Sequence, residues 1–332
     1  MGTPSFLHRL SWQRRDQPIL SAMTTDQEWC RVTLYSPSVL RMGDKYKMWY
    51  LGNNTATRTI TCDLGYAESR DGITWTPYAG NPILTRRDLP WGRMWQTPHV
   101  LYDAEEKLYR MWFIMVEGAP DGSGKEMSIG QQLGYATSVD GLRWDVHPEP
   151  IYPSGRRPCV VRDGSDAYRM WMCSSPDPDG DFGDLVGHIY RFESTDGIQW
   201  TRDPEPMLTA PASHQRVVYP FVILPEGAYT MWYSCHVNGG VTQLYCSTST
   251  DGLTWTHHLE KPAFPATRNP NDFDGRYVST AFVLDDGDRY LLYYSARDWG
   301  NLYRAGDGTI QSDRAGIYRH IGVAVCPKEG RV

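Results

Sequence analysis

At 332 residues, with 13% aromatic content, 13 Trp, 21 Tyr, 31 Gly and 23 Pro, the chain favours many short strands and tight turns over helices. A formal net charge of −6 excludes a general attraction to nucleic acid or to an anionic membrane surface. No apolar run approaches membrane-spanning length, and the leading MGTPSFLHRLSWQRRDQPIL carries Arg and Asp where a secretory leader needs an apolar core, so a cytoplasmic location is expected.

In chain order, residues 1–28 form a leading segment whose DQPIL resembles stretches that end later repeats: NPIL at Asn81, EPIY at Glu149 and EPML at Glu205. The N-terminus is therefore expected to supply the outer strand of the blade that the C-terminus completes, which removes open sheet edges at the seam. A repeat follows. Its inner strand reads Ser36-Pro37-Ser38-Val39, then Thr97-Pro98-His99-Val100, Arg157-Pro158-Cys159-Val160, Tyr219-Pro220-Phe221-Val222 and, without the proline, Thr280-Ala281-Phe282-Val283. Polar hairpin turns come next, at Met42, Asp103, Arg162, Leu224 and Asp285, rich in the Gly and Asp that tolerate positive φ. An aromatic strand follows (YKMWYLG, YRMWFIMV, YRMWMCS, YTMWYSC, YLLYYSAR), then a loop of variable length, a strand of LGYA type, and the turn S-x-D-G-x-x-W, which the fifth copy lacks.

The aligned Trp49, Trp112, Trp171, Trp232 and Tyr293 stand 63, 59, 61 and 61 residues apart. A period near sixty with several short strands predicts an all-β, five-bladed β-propeller of four-stranded antiparallel blades, a single domain spanning 1–332. In the S-x-D-G-x-x-W turn, Asp accepts backbone hydrogen bonds, Gly supplies the backbone angle and Trp packs between blades, so Asp71, Asp140, Asp196 and Asp251 are folding devices. Antiparallel connectivity places these turns at the bottom. The starts of the inner strands and the long loops lie together at the top, where function is expected. The seven cysteines are odd in number, scattered and free of C-x-x-C spacing, as expected of buried thiols rather than disulfides or a zinc site.

These paired motifs, x-P-x-V with YxMWYxG, IGYAxSxDGxxW and NPIL, make the chain similar to the five-bladed propeller glycoside hydrolases of families 43, 32, 68, 62 and 130 and their relatives. The resemblance covers essentially the whole chain and implies the fold more strongly than the activity, since the matching residues are structural. In that group the inner strands commonly begin D-P-x-V, with the Asp in the channel as base or nucleophile. Glycoside cleavage uses one carboxyl to protonate the leaving oxygen and another to attack or to activate water. Here Ser36, Thr97, Arg157, Tyr219 and Thr280 stand at the matching positions, with no carboxylate among them.

The top face offers cations instead. An arginine precedes or begins each inner strand: Arg31, Arg93, Arg156 with Arg157, Arg216 and Arg276. Arginine forks suit carboxylate or phosphate, which predicts a small anionic sugar-containing substrate. Ser36, Thr97, Gln96, His99 and His188 complete the expected binding set. Acid and base candidates are Glu117, Asp63 and Asp298 on the top loops, with Tyr219 and His236. No cofactor is expected. The oxygen-rich NDFDG at Asn271 and DGDFGD at Asp179 are the places for a calcium ion, although both read equally as turns. The alternatives are a propeller that runs a non-hydrolytic step (lyase, isomerase or cyclase), an inactive propeller that binds an anionic glycan or metabolite, and a protein-interaction propeller, which would need an apolar top.

Overall fold

The computed structural model describes residues 10–54, 62–89, 91, 94–116, 131–162, 167–177, 187–210, 216–237, 240–312 and 318–328. Two short strands open the chain, β1 (Gln13–Arg14) and β2 (Leu20–Ser21). Four antiparallel blades follow. Blade 1 holds β3 (Thr33–Met42), β4 (Lys45–Asn53), β5 (Asp63–Ser69) and β6 (Trp75–Pro77); blade 2 holds β7 (Met94–Asp103), β8 (Leu108–Val116), β9 (Gln131–Ser138) and β10 (Asp145–Val146). Blade 3 holds β11 (Arg156–Arg162), β12 (Tyr168–Cys173), β13 (His188–Ser194), β14 (Thr201–Arg202) and β15 (Leu208–Thr209). Blade 4 holds β16 (Arg216–Ile223), β17 (Tyr229–Val237), β18 (Val241–Ser249) and β19 (Thr256–His258). Blade 5 is β20 (Tyr277–Asp285), β21 (Arg289–Arg297) and, after the small hairpin β22 (Leu302–Arg304) to β23 (Ile310–Ser312), β24 (His320–Pro327). Among the described residues there is no α-helix, only short 3-10 turns.

The fifth blade is closed from the other end of the chain. Gln13 and Arg14 pair with Val325 and Ala324, giving blade 5 its outer strand. Leu20 and Ser21, in the DQPIL region, pair with Ile321 and His320. The corresponding Leu84, Tyr152, Leu208 and Phe264 each bridge the third strand of their own blade. DQPIL is thus the fifth copy of the repeat's last segment, carried at the opposite terminus.

Each D-G turn is held by its own side chains, and those at Gly72, Gly141 and Gly197 are latched to the preceding blade. Asp196 Oδ1 accepts the amides of Ile198 and Gln199, both at 2.8 Å, and Ser194 Oγ accepts the Gly197 amide at 2.9 Å. The indole of Trp112 in blade 2 then donates to the Gly197 carbonyl of blade 3 at 2.7 Å, as Trp49 in blade 1 does to Gly141 of blade 2. In the fifth repeat Tyr293 replaces this Trp, and its hydroxyl donates to the Gly72 carbonyl of blade 1 at 2.8 Å, so the latch also closes the ring. The same network keeps Asp71 ionised. Burial alone would raise its pKa, but the Thr74 and Ile73 amides outweigh this and hold it near 2.

A prediction follows from the latch. Gly197 has φ +76°, and a Cβ there would lie 2.9 Å from Trp112 Cζ2, whereas Gly43, at φ +65°, has open space around it. Gly43→Ala should cost about 1 kcal/mol, the left-handed strain alone. Gly197→Ala should cost about 2–3 kcal/mol, because the indole must also move. Urea-unfolding midpoints of the two variants measure the difference, and equal midpoints would refute the latch.

The core lies between blades: Trp49, Trp112, Trp171 and Trp232 are fully buried on their aromatic strands. All seven cysteines are buried, and none is in a disulfide. Burial pushes the Cys62, Cys159 and Cys173 thiols up to about 12, so they are not nucleophiles at neutral pH.

Candidate active site at the top of the channel

The five inner strands share one irregularity. Each pairing with its neighbour shifts register, between Tyr35 and Ser38, Gln96 and His99, Arg156 and Cys159, Val218 and Phe221, and Ser279 and Phe282. At each shift one residue adopts left-handed backbone: Ser36, Thr97, Arg157, Tyr219 and Thr280, with φ between +45° and +61°. These are the positions where the resembling family carries channel acids. Non-glycine residues resist this conformation by roughly 1 kcal/mol or more each. At three of the five, hydroxyls cap the bulged amides: Ser295 on Ser36 N at 2.8 Å, Thr97 on Arg157 N at 3.2 Å and Ser234 on Thr280 N at 3.2 Å. The fifth copy keeps the bulge with Ala281 in place of proline, so the bulge does not require the proline.

Arg157 crosses the channel. Its Nη1 donates to Ser36 Oγ of blade 1 at 2.9 Å, and its Nη2 donates to the Ala281 and Thr280 carbonyls of blade 5 at 2.8 and 3.3 Å. The side chain is 1% exposed, and its Nε has no hydrogen-bond partner. No carboxylate pairs with it among the described residues. Burial therefore pulls its pKa down to about 10. A cation stands where relatives of this fold are expected to hold an anion.

Above this plug the walls are phenolic and cationic. Arg156 donates from Nη2 to the Tyr219 hydroxyl and lies 4.9 Å from the centre of that ring. Tyr35 stacks on Tyr318 with centroids 5.6 Å apart, and Tyr318 meets Tyr277 edge-on at 6.2 Å. The guanidinium groups of Arg297 and Arg276 lie 4.9 and 5.3 Å from the Tyr277 ring. Burial lowers the Arg297 pKa, and the like charges of Arg276 and Arg319 lower it further. His236 pairs across the strands with Arg216, and its Nδ1 bonds Thr242 Oγ1 at 2.9 Å. Burial, then Arg216 and Arg156, push its pKa down to about 4, so it is a neutral imidazole at pH 7.

Of the residues expected at this site, Ser36, Thr97, Arg157 and Tyr219 form the ring, and His236 sits on its rim. Arg216 is exposed at the start of its strand. Arg276 donates to the Gly240 carbonyl at 3.1 Å and lies against Tyr277 and Trp299. Gln96 is buried beside Thr97 with its Nε2 unpartnered, and Arg31 is half-buried just past the 3-10 turn Glu28–Cys30. Glu117 and Arg93 lie outside the described residues, as does the stretch DGDFGD.

Three expectations need correction, at His99, His188 and Asp298. His99 is not at the top: its Nε2 meets the Val160 carbonyl at 2.9 Å, and its ring faces the Phe221–Phe282 pair, 6.1 Å from each, further down the channel. His188 begins the third strand of blade 3 and bonds Thr209 Oγ1 at 3.2 Å, facing the outer strand. Asp63 opens the third strand of blade 1, opposite Gly52, where the sequence places it. Asp298 turns to the seam, where its Oδ2 meets His320 Nε2 at 3.3 Å and the Leu302 amide at 3.3 Å, while His320 Nδ1 bonds Ser21 Oγ at 2.8 Å. In the NDFDG stretch, Asp274 is taken by Arg14 and by the Tyr294 hydroxyl, and Asp272 by Asn269. Arg297, Arg319, Tyr35, Tyr277 and Tyr318 were not anticipated.

No protein-family model matches the chain. Two Mycobacterium tuberculosis proteins, Rv1502 of strain ATCC 25618 / H37Rv and MT1551 of strain CDC 1551 / Oshkosh, both described as uncharacterized, are each 30% identical to it over 174 residues, 48% of this chain and 56% of theirs. The chain spans about half the length of the curated relatives it matches. Among solved structures, a BT0996 complex with RGII matches 99% of this chain and 95% of its own, with a TM-score of 0.71 at 16% identity. The chain has the fold of the five-bladed propeller glycoside hydrolases. A structure from the GH130 family of mannoside phosphorylases, a family containing glycoside hydrolases that target beta-1,2 mannosidic linkages in Candida mannan, matches 100% of this chain and 97% of its own (TM-score 0.70, 15% identity). The α-L-arabinofuranosidase PaAbf62A from Podospora anserina, in complex with cellotriose, matches 96% of this chain and 97% of its own (TM-score 0.63, 14% identity).

Proposed function

We propose that the protein is a carbohydrate-active enzyme that takes a small, anionic sugar-containing substrate at the arginine-lined top of the channel. The observation that carries this reading is the exchange of charge at the ring: Arg157 occupies a channel position, no acid stands at the other four, and Arg156, Arg216, Arg276 and Arg297 surround the opening. Guanidinium forks recognise carboxylate or phosphate through paired N–H donors. Tyr219 is the acid-base candidate. Arg156 already donates to its oxygen, which leaves the phenolic hydrogen for a ligand atom. His236, neutral at pH 7, is a second acceptor on the same rim. The two-carboxylate route cannot run from these five channel positions, so a displaced acid such as Glu117 or a non-hydrolytic step serves in its place. The second reading, a propeller that binds an anionic sugar without turnover, is favoured by that same lack of a channel acid.

Calorimetry against glucuronate, sugar phosphates, nucleotide sugars and neutral sugars tests the reading. Anionic ligands should bind, with affinity falling as salt rises. Arg216→Ala with Arg276→Ala, both at accessible positions, should weaken them about tenfold or more. Binding of neutral sugars alone overturns the proposal. Tyr219→Phe separates the two readings: an enzyme loses about 100-fold or more in turnover with binding kept, whereas a binding protein has no turnover to lose.

A further inference from the structure

The channel has a second opening, at the bottom, and it is not a mere continuation of the first. Arg157 and its bonds to blades 1 and 5 floor the top site, and beneath that floor lies a cavity of about 340 Å³. That volume is at the lower end of the range for small-molecule sites. All five inner strands line it, through Val39, His99, Val160, Phe221, Phe282 and Val283 among others. Valine, leucine and phenylalanine make most of its wall, with the buried His99 imidazole among them and Tyr102, Tyr168 and charged side chains also in the lining.

The chemistry of that imidazole is determined by its neighbour. A carbonyl only accepts, so His99 Nε2, 2.9 Å from the Val160 oxygen, carries the hydrogen. Nδ1 is then a bare acceptor with no hydrogen-bond partner among the described residues. Burial, then the Arg157 charge, depresses protonation of the ring, which keeps it neutral. At the rim, Asp103 is paired with Arg162 at 2.9 Å and with Arg110 at 3.4 Å, and Arg110 also pairs with Glu106 at 2.5 Å. The rim charges satisfy one another, so nothing in the cavity calls for an ionic ligand, and the Arg157 cation above it repels a positive one.

We propose that this lower cavity is a second binding site, separate from the top face, for a small neutral and mainly apolar molecule carrying one hydrogen-bond donor, an alcohol or a phenol, whose hydroxyl donates to His99 Nδ1. The apolar body packs against Phe221, Phe282 and Val283, and its donor meets the one imidazole acceptor in the cavity wall. This reading does not depend on the assignment of the top site.

Fluorine NMR of the full chain with 4-fluorophenol and with fluorobenzene provides the test. The phenol should bind about tenfold more tightly, the worth of one buried hydrogen bond. The side-chain nitrogen signal of His99 Nδ1 should move on adding the phenol and stay in place with fluorobenzene. Val283→Phe, which fills the cavity, should abolish binding of both. Equal affinities, an unmoved His99 signal, or phenol binding that survives Val283→Phe each overturn the proposal. If Val283→Phe does not fold, the first two measurements decide it on the unaltered protein.

Discussion

Arg157→Ala is expected to destabilise the protein by about 3 kcal/mol, seen as a lower urea midpoint at unchanged slope. Two effects oppose each other. Burying a guanidinium without a counter-ion is unfavourable: its pKa falls from 12.5 to about 10, which corresponds to about 3 kcal/mol that the substitution would release. Against this, three hydrogen bonds from a charged donor disappear, each worth roughly 1.5–3 kcal/mol, and the Thr280 and Ala281 carbonyls are left in a buried channel. The hydrogen bonds win, so the net change is a loss. Arg157→Met, which restores volume and removes the charge, should cost less than alanine. Arg157→Lys should recover little, because one ammonium cannot span Ser36 and both carbonyls. A change below about 1 kcal/mol in the alanine variant would mean that the guanidinium does not tie blades 1, 3 and 5 together.

The sequence places Arg157 at a channel position and in the cationic set, but its bonds to blades 1 and 5 were not visible there. The reason is the bulge. Simple alternation places residues two apart on one face, and the register shift between Arg156 and Cys159 turns Arg157 across the axis while Arg156 stays with Tyr219 at the mouth. The same shift between Gln96 and His99 carries His99 below the ring. By contrast, blade count, closure and the D-G turns were legible, because each is written locally and repeated. Tyr293 even appears at the Trp position whose inter-blade bond it makes. Asp298 shows the limit from the other side. Its partner His320 and the Ser21 beyond it come from β24 and β2, and only the closed ring brings those three elements together. Residues positioned by pairing across the seam leave no local signature.

His99 should make the protein acid-sensitive in a window that can be stated in advance. Burial first, then the nearby Arg157 cation, lower its pKa from 6.5 to about 3, against a smaller opposing effect of the Val160 carbonyl. In the unfolded chain the imidazole titrates near its ordinary value. Between pH 6.5 and 3 the unfolded state therefore binds a proton that the folded state refuses. Stability from this group is complete above pH 6.5 and is lost as the pH falls, by about 3 kcal/mol at pH 4. His236, lowered to about 4, acts in the same direction over a shorter span. His99→Gln removes the titration while its amide can still donate to Val160. In that variant the difference in unfolding free energy between pH 7 and pH 4 should shrink by about 3 kcal/mol relative to the parent protein. An unchanged pH dependence would show that His99 is protonated in the folded protein, and with it the neutral imidazole beneath Arg157 would be lost.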